Sequence, residues 1–500
     1  MKTTILAILL TFIGLSSTQA KQRPNVLFIP IDDLKPALGC YGDQKAITPN
    51  IDRLTAQGVT FLNNHCQLSL CGPSRNSIMT GVRPDSGKVL FFGHQMRKQN
   101  PGVITIPEHF KNNGYETVGL GKVYDLRNVK RFQDPPSWTR KFFQANAKKA
   151  YFGYAEPQLV AKLKKQGEDA NAQGAKTWGQ IAKYLDRPST ECTDVSDETY
   201  KDGILANKGV ELLKELSQQE KSFFLAVGLW KPHLPFIAPK KYWNLYKREE
   251  FSLASYREKI KNGTEYTYHN SGELRTYADI PKEGPLNEEK QLELIHGYYA
   301  CVSYIDALVG KLIDQVEKLG IADNTIIVLW GDHGFHLGDH SLWCKFTNLE
   351  EGTRFPLIIS APDANVKRGS KISAPTEFVD VFPSLTDLAG LPSLDKQYEG
   401  VSLRPLMDGS RESVKQGAVS QYGRRKDVIG YSFRSERYRY VEWIQKDWKK
   451  WEREGTVVAR ELYDYEQDPL ETVNLVSSPE HESSMQSLAT GLHEVIDSQP

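Results

Sequence analysis

Cys71, Gly72, Pro73, Ser74 and Arg75 set a cysteine at a helix start with an arginine one turn behind it. Such a place can make and hold an anion, because the exposed N–H groups and the positive dipole end favour negative charge. Pro73 suits the first helical position and Gly81 the C′ position, so the pattern predicts a short helix over Ser74 to Thr80. Cys71 then lies at or just before the helix N-terminus, where its thiol should become more acidic. A lone cysteine there also reads as a buried, inert side chain. Four fixed residue types within five positions favour the chemical reading.

Further reactive residues follow apolar runs. Asn25 to Ile31 leads to Asp32 and Asp33, Thr325 to Trp330 leads to Asp332 and His333, Glu116 to Leu120 leads to Lys122, and Ser222 to Leu229 leads to Lys231-Pro232-His233. Three carboxylates suit a hard divalent cation, Ca2+ or Mg2+, better than zinc. Each pair alone reads equally well as turn or N-cap aspartates. Lys122 and Lys345, taken singly, read as solvated charges, whereas Pro232 and Pro235 fix the backbone around His233.

Buried strands that end in polar residues belong to a mostly parallel α/β sheet, whose ligands bind outside the carboxyl ends. Asn287 to Leu319 repeats apolar residues at helical spacing and stops at Gly320, predicting a long helix packed on that sheet. Residues 125–200 and 245–285 lack this rhythm and read as loops and short helices near the mouth of the site. After Gly400 the pattern changes: Val419 to Gln421, Gly430 to Ser435 and Tyr438 to Ile444 read as short antiparallel strands, and Ser483 to Asp497 as a closing helix. The expected division is a signal peptide at 1–20, a catalytic domain at 21–410 and a C-terminal subdomain at 411–500.

Composition sets the setting. Among 500 residues, 63 Lys and Arg balance 62 Asp and Glu, which excludes a dedicated nucleic-acid binder or a polybasic membrane anchor. Lys2, the apolar run Ile5 to Leu15 and the small-residue end at Ala20 read as a secretory signal peptide. That run is shorter than the roughly 20 residues a membrane span needs, so the mature chain is expected to be exported, periplasmic or secreted, with no integral span. The six cysteines show no CxxC spacing, which speaks against a thiolate zinc site. Mostly buried free thiols are expected, with at most two bridges.

Taken together, these segments resemble the type I sulfatases of the alkaline phosphatase superfamily. The resemblance rests on Asp32-Asp33-Leu34-Lys35-Pro36, Cys71-Gly72-Pro73-Ser74-Arg75, Thr80-Gly81-Val82-Arg83-Pro84, Gly121-Lys122, Lys231-Pro232-His233-Leu234-Pro235-Phe236, Gly331-Asp332-His333-Gly334 and Lys345, in family order. The iduronate-2-sulfatase-like members carry similar D-D-L-x-P and K-P-H-x-P-F segments. The implied fold is α/β, a large mixed sheet flanked by helices with a small C-terminal α+β subdomain holding an antiparallel sheet.

The resemblance also implies a chemistry. Cys71 would be oxidised to formylglycine (3-oxoalanine) by a formylglycine-generating or sulfatase-maturating enzyme. One hydroxyl of its hydrate would attack sulfur, and loss of a proton from the other would expel sulfate and restore the aldehyde. Asp32, Asp33, Asp332 and His333, with the residue at 71, would surround Ca2+, Mg2+ being the second choice. Arg75 would hold the nucleophile's hydroxyl, and Asp32 or Asp33 would take its proton. Lys122, His233 and Lys345 would bind the sulfate, His233 also protonating the leaving alcohol. The expected substrate is a sulfated carbohydrate such as a sulfated uronic acid. A phosphodiester or phosphonate hydrolase of the same superfamily and a non-catalytic glycan-binding protein are the alternatives. The family follows its Gly-Lys pair with a histidine, where this chain has Val123-Tyr124-Asp125. Either Asp125 or another residue replaces it, or turnover is slower.

Overall fold

The computed structural model describes residues 23–498 apart from 130–132, 364, 426 and 453. The expected signal peptide lies outside them. Seven strands form the main sheet: Asn25–Asp32 (β1), Val59–Phe61 (β2), Glu116–Gly121 (β3), Phe223–Pro232 (β4), Thr325–Gly331 (β5), Leu357–Ser360 (β6) and Lys371–Ile372 (β7), in the spatial order β7-β2-β6-β5-β1-β4-β3. The run β3-β4-β1-β5 is parallel throughout, while β6 is antiparallel to both its neighbours. The sheet is therefore mixed.

Five longer helices matter here: Cys71–Thr80 (α1), Pro157–Ala172 (α2), Lys201–Leu216 (α3), Glu288–Lys318 (α4) and Glu482–Asp497 (α5). Side-chain alternation along β1 explains how they pack. Leu27, Ile29 and Ile31 face a core shared with Leu205 and Leu212 of α3 and Val302 and Ile305 of α4. Val26 and Phe28 face the opposite core, which takes in Ile78 and Met79 of α1. Both faces of β1 are covered, which is why its sequence reads as one apolar run rather than an alternating one.

Register then aligns the chemistry. Ile31 pairs with Gly331 on one side and Leu229 on the other, and Gly121 pairs with Gly228. The carboxyl ends of four neighbouring strands thus share one edge, as the sequence predicts. Gly121 has φ +75° and a Cβ there would lie 2.0 Å from the Gly228 carbonyl, so only glycine lets the chain turn there. Lys122 N donates to that same carbonyl at 3.0 Å, which fixes where the lysine leaves the strand.

A second sheet of four antiparallel strands follows: Ala418–Arg424 (β8), Val428–Arg434 (β9), Tyr438–Gln445 (β10) and Thr456–Asp464 (β11). Helix α5 packs on it through Leu488 and Leu492, and the same core includes Leu68 and Leu70, just ahead of Cys71. Glu377 ties these parts together. It is buried, accepts from Arg83 Nη2 at 2.7 Å, Lys415 Nζ at 2.5 Å and Val419 N at 2.9 Å, and is thereby held down to about 2 despite burial that works to raise it.

Several expectations need correction. The helix over Ser74 to Thr80 starts at Cys71, so Pro73 is its third residue rather than its first. Residues 125–200 contain the 16-residue α2, whose buried stripe of Leu163, Gly167 and Ala170 is too thin to stand out in the sequence. Strand β11 was not expected, because its first five residues are exposed or half-buried at the sheet's outer position and carry little apolar signal. The described residues contain no disulfide, and five of the six cysteines are buried.

Candidate active site

The structure brings every predicted site residue to the shared edge of β1, β3, β4 and β5. Cys71 is 1% exposed, and its Sγ marks where the oxygens on Cβ of a modified residue would lie. It stands 3.4 Å from His333 Nε2 and 3.9 Å from Asp33 Oδ1. Burial pushes its thiol well up, outweighing Lys122 and Lys345, so the expected gain in acidity is not found. Cys71 is poorly placed to work as a thiolate.

Arg75, one turn into α1, is completely buried and cross-links three strand ends. Its Nε donates to Asp332 Oδ2 at 3.0 Å, Nη2 to Asp32 Oδ1 at 3.1 Å and Nη1 to the Lys122 carbonyl at 2.5 Å. Lys122 Nζ donates to Asp32 Oδ2 at 2.5 Å, and Lys345 Nζ to both oxygens of Asp33 at 2.9 and 3.0 Å. Burial alone would protonate Asp32, but Lys122, His233 and Arg75 hold it well below the usual carboxylate range. Asp332 goes the other way. Burial and the charges of Asp32 and Asp33 raise it against the pull of His333 and Arg75.

The donor set fits a hard cation. One ligand atom each from Asp33, Cys71, Asp332 and His333 lies within 4.8 Å of the others, as do those of Asp32, Asp33, Cys71 and His233. His333 Nδ1 is 2.9 Å from the Gly334 carbonyl, which leaves Nε2 as the nitrogen turned to the cluster. That Nε2 lies 3.3 Å from Asp33 Oδ1 and 3.4 Å from Asp332 Oδ1. Two carboxylates and an imidazole nitrogen gathered this closely make a donor set that a hard cation would suit. Asp33 reaches it through a left-handed backbone, φ 58°, pinned by Asp33 N donating to Asp332 Oδ1 at 2.8 Å and Tyr298 Oη donating to the Asp33 carbonyl at 2.8 Å.

His233 lies between two proline peptides that are both cis, with Nδ1 2.6 Å from the Leu234 carbonyl. Its Nε2 is 3.9 Å from Asp33 Oδ2 and 3.2 Å from Glu273 Oε1. Burial would keep the ring neutral, yet Asp33, Asp32 and Glu273 raise its pKa.

Four participants escaped the sequence. Glu273, in the loop region 245–285, bridges His233 and Lys345, its carboxylate 3.0 Å from Lys345 Nζ. Arg127 and Asn128 sit beside the Cys71 turn, and Tyr298 braces the Asp33 loop. Asp125 is 3% exposed, and both its oxygens are taken by Arg127, at 2.9 and 2.7 Å. No short local pattern marks Glu273, Asn128 or Tyr298, because each meets its partners across long stretches of chain, and the local Asp125–Arg127 pair reads as an ordinary surface ion pair.

A family model described as sulfatase matches residues 24–391, and one described as N-sulphoglucosamine sulphohydrolase, C-terminal, matches 338–498. Iduronate 2-sulfatase of Homo sapiens is 31% identical over 92% of this chain and 93% of its own. A structure solved in complex with its substrate D-glucosamine-2-N,6-O-disulfate superposes with a TM-score of 0.72 at 21% identity, covering 96% of this chain and 99% of that one. A phosphonate monoester hydrolase of Agrobacterium radiobacter superposes at 0.71 and 19% identity, covering 96% of each chain. The fold is that of the sulfatases and alkaline phosphatases, and the chain belongs to the sulfatase family as a sulfuric ester hydrolase.

Proposed function

We propose that this enzyme removes O-sulfate from a saccharide, using a formylglycine hydrate made from Cys71 and a divalent cation, Ca2+ before Mg2+. The observation that carries the reading is the convergence of Asp33, Asp332, His333 and Cys71 on one point, with Lys345 on Asp33, Arg75 on Asp332 and Asp32, and Lys122 on Asp32 beside them. Asp32, Asp33, Asp332 and His333 would hold the ion, which supplies Lewis-acid polarisation of the sulfuryl oxygens when bound.

The chain's own groups divide the remaining work. Arg75, locked on Asp32 and Asp332, keeps the strand ends in register and offers its charge to the hydroxyl at position 71. Lys122 and Lys345 are point charges for sulfate oxygens, and the low polarity of their surroundings strengthens both. Asp33, whose Oδ1 lies 3.9 Å from Cys71 Sγ, takes the nucleophile's proton. His233, its pKa raised, holds a proton at Nε2 for the departing sugar oxygen. A serine at 71 would stop at a stable sulfate ester, whereas a second hydroxyl on the same carbon lets sulfate leave as the aldehyde returns.

Likeness to iduronate 2-sulfatase and to the protein solved with a glucosamine disulfate supports a sugar substrate. We place the catalytic domain at 21–410 and the C-terminal subdomain at 411–500, a division supported by the separate sheet of β8 to β11. The pattern of residues 1–20 supports export after cleavage at Ala20; among the described residues no helix is long and apolar enough to cross a membrane.

Mass spectrometry of the Cys71 peptide from protein made alongside a maturing enzyme tests the nucleophile. Formylglycine is expected there, and unmodified cysteine in active protein would refute it. A panel of defined sulfated oligosaccharides and phosphonate monoesters tests the substrate. Sulfate release from at least one saccharide is expected, and faster turnover of a phosphonate would favour the hydrolase alternative.

A further inference from the structure

Asp125 stands where the family carries a histidine, and its surroundings point to recognition rather than proton transfer. The position beside the nucleophile is fixed by Gly72. A Cβ on that residue would lie 2.1 Å from Asn128 Oδ1 and 3.4 Å from Phe92 Cδ1, so both side chains press on the residue next to Cys71. Asn128 also clamps the neighbouring loop, its Nδ2 donating to the Phe91 and His94 carbonyls at 3.0 and 2.8 Å.

On this platform lies Arg127. Its Nε and Nη2 donate to the two oxygens of Asp125, and its guanidinium carbon is 3.1 Å from the centroid of the Phe92 ring. The Asp125 side chain is 2% exposed, whereas that of Arg127 is 50% exposed. Among the described residues Nη1 has no acceptor. Asp125 stays ionised in spite of burial because Arg127 and Lys122 favour its charged form, so it anchors the guanidinium permanently. A planar cation centred over a ring, gripped along one edge and open on the other, matches the forked geometry of a carboxylate or sulfate. A purely structural ion pair gains little from leaving half of the arginine in solvent beside the nucleophile.

We propose that Arg127 is a specificity-determining residue that binds a second anionic group of the substrate, a uronate carboxylate or a further sulfate, next to the sulfate being removed. This rests on the saccharide reading above. The test compares three substrates in steady-state kinetics of the matured enzyme: a neutral monosulfated saccharide, its uronate counterpart and its disulfated counterpart. R127M is expected to raise KM about tenfold on one or both charged substrates, with kcat within twofold, and to leave the neutral substrate unchanged. R127K, which keeps the charge and loses the fork, should fall between. The substrate whose KM moves tells carboxylate from sulfate. An equal effect on all three, or none on any, overturns the proposal, and a thermal scan shows whether R127M is folded. Calorimetry of the same saccharides on C71A and C71A/R127M reads binding without turnover. Loss of the preference for charge on that background, with no sulfate release by the wild type, would overturn the saccharide-sulfatase reading and not this one; equal affinities on both would overturn this one.

Discussion

Gly72 occupies the variable position of the Cys-x-Pro-Ser-Arg segment, yet the structure leaves no room for another residue there. In G72A the new methyl would meet Asn128 Oδ1 at 2.1 Å and Asn128 Cγ at 2.9 Å. Asn128 must then retreat by about 1 Å, beyond the reach of the two carbonyls its amide holds at 2.8 and 3.0 Å. Losing two hydrogen bonds at roughly 1 kcal/mol each, with a strained rotamer of about 1 kcal/mol, gives a destabilisation of about 3 kcal/mol. The cause is separable from a general intolerance of alanine. N128A should cost about 2 kcal/mol alone, and G72A/N128A should cost no more than N128A, because the clash has lost its partner. Urea midpoints of the four proteins, at a common m-value, read this coupling directly. Additive effects of G72A and N128A, or a G72A protein as stable as the wild type, would refute the argument.

Other outcomes follow from the same contacts. E273Q removes a negative neighbour from His233, whose pKa is raised partly by that carboxylate; the alkaline limb of kcat/KM should move to lower pH, and an unmoved limb would exclude His233 as the acid that sets it. Glu377 is held down to about 2 from 4.5, so its stabilisation is present above pH 4.5 and is lost as pH falls toward 2. E377Q should therefore unfold more easily at pH 7, by about 3 kcal/mol because Arg83 loses its paired carboxylate and Lys415 keeps only Asp380, and the gap should narrow through that acid window. Chelation should abolish sulfate release and lower the thermal midpoint, with Ca2+ restoring both, whereas the midpoint of D332N should not respond to Ca2+.

How much of this was legible depended on whether a residue's partners lay nearby in sequence. The four site strands could be read because burial on both faces makes each a continuous apolar run, and the polar residue that stops the run is the one at the sheet's edge. Asp32, Lys122, His233 and Asp332 were legible for that reason, whereas Cys71 and Arg75 were legible from the Pro-Ser-Arg helix start, one turn apart. Strand β11 and helix α2 were not, since each buries too few side chains to leave a period. Glu273 meets His233 and Lys345 at separations of 40 and 72 residues, from a loop with no regular pattern of its own. The acidity expected of Cys71 failed on the opposite ground: helix position is local, but the burial that opposes it comes from the whole fold.

The depth of Cys71 has a consequence for the order of events in synthesis. A side chain 1% exposed cannot enter another enzyme's active site once the molecule is complete. His333, which closes over its sulfur, is added 262 residues later, and the β8–β11 sheet, whose core holds Leu68 and Leu70, comes later still. At roughly 5–20 residues per second, that interval lasts on the order of 10–50 s. Under the proposed maturation, the oxidising enzyme has only this interval, while the chain is still being made or threaded across a membrane, and each molecule that folds first is left with a sealed, unreactive thiol. Specific activity would then depend on the speed of translation, with no change in sequence.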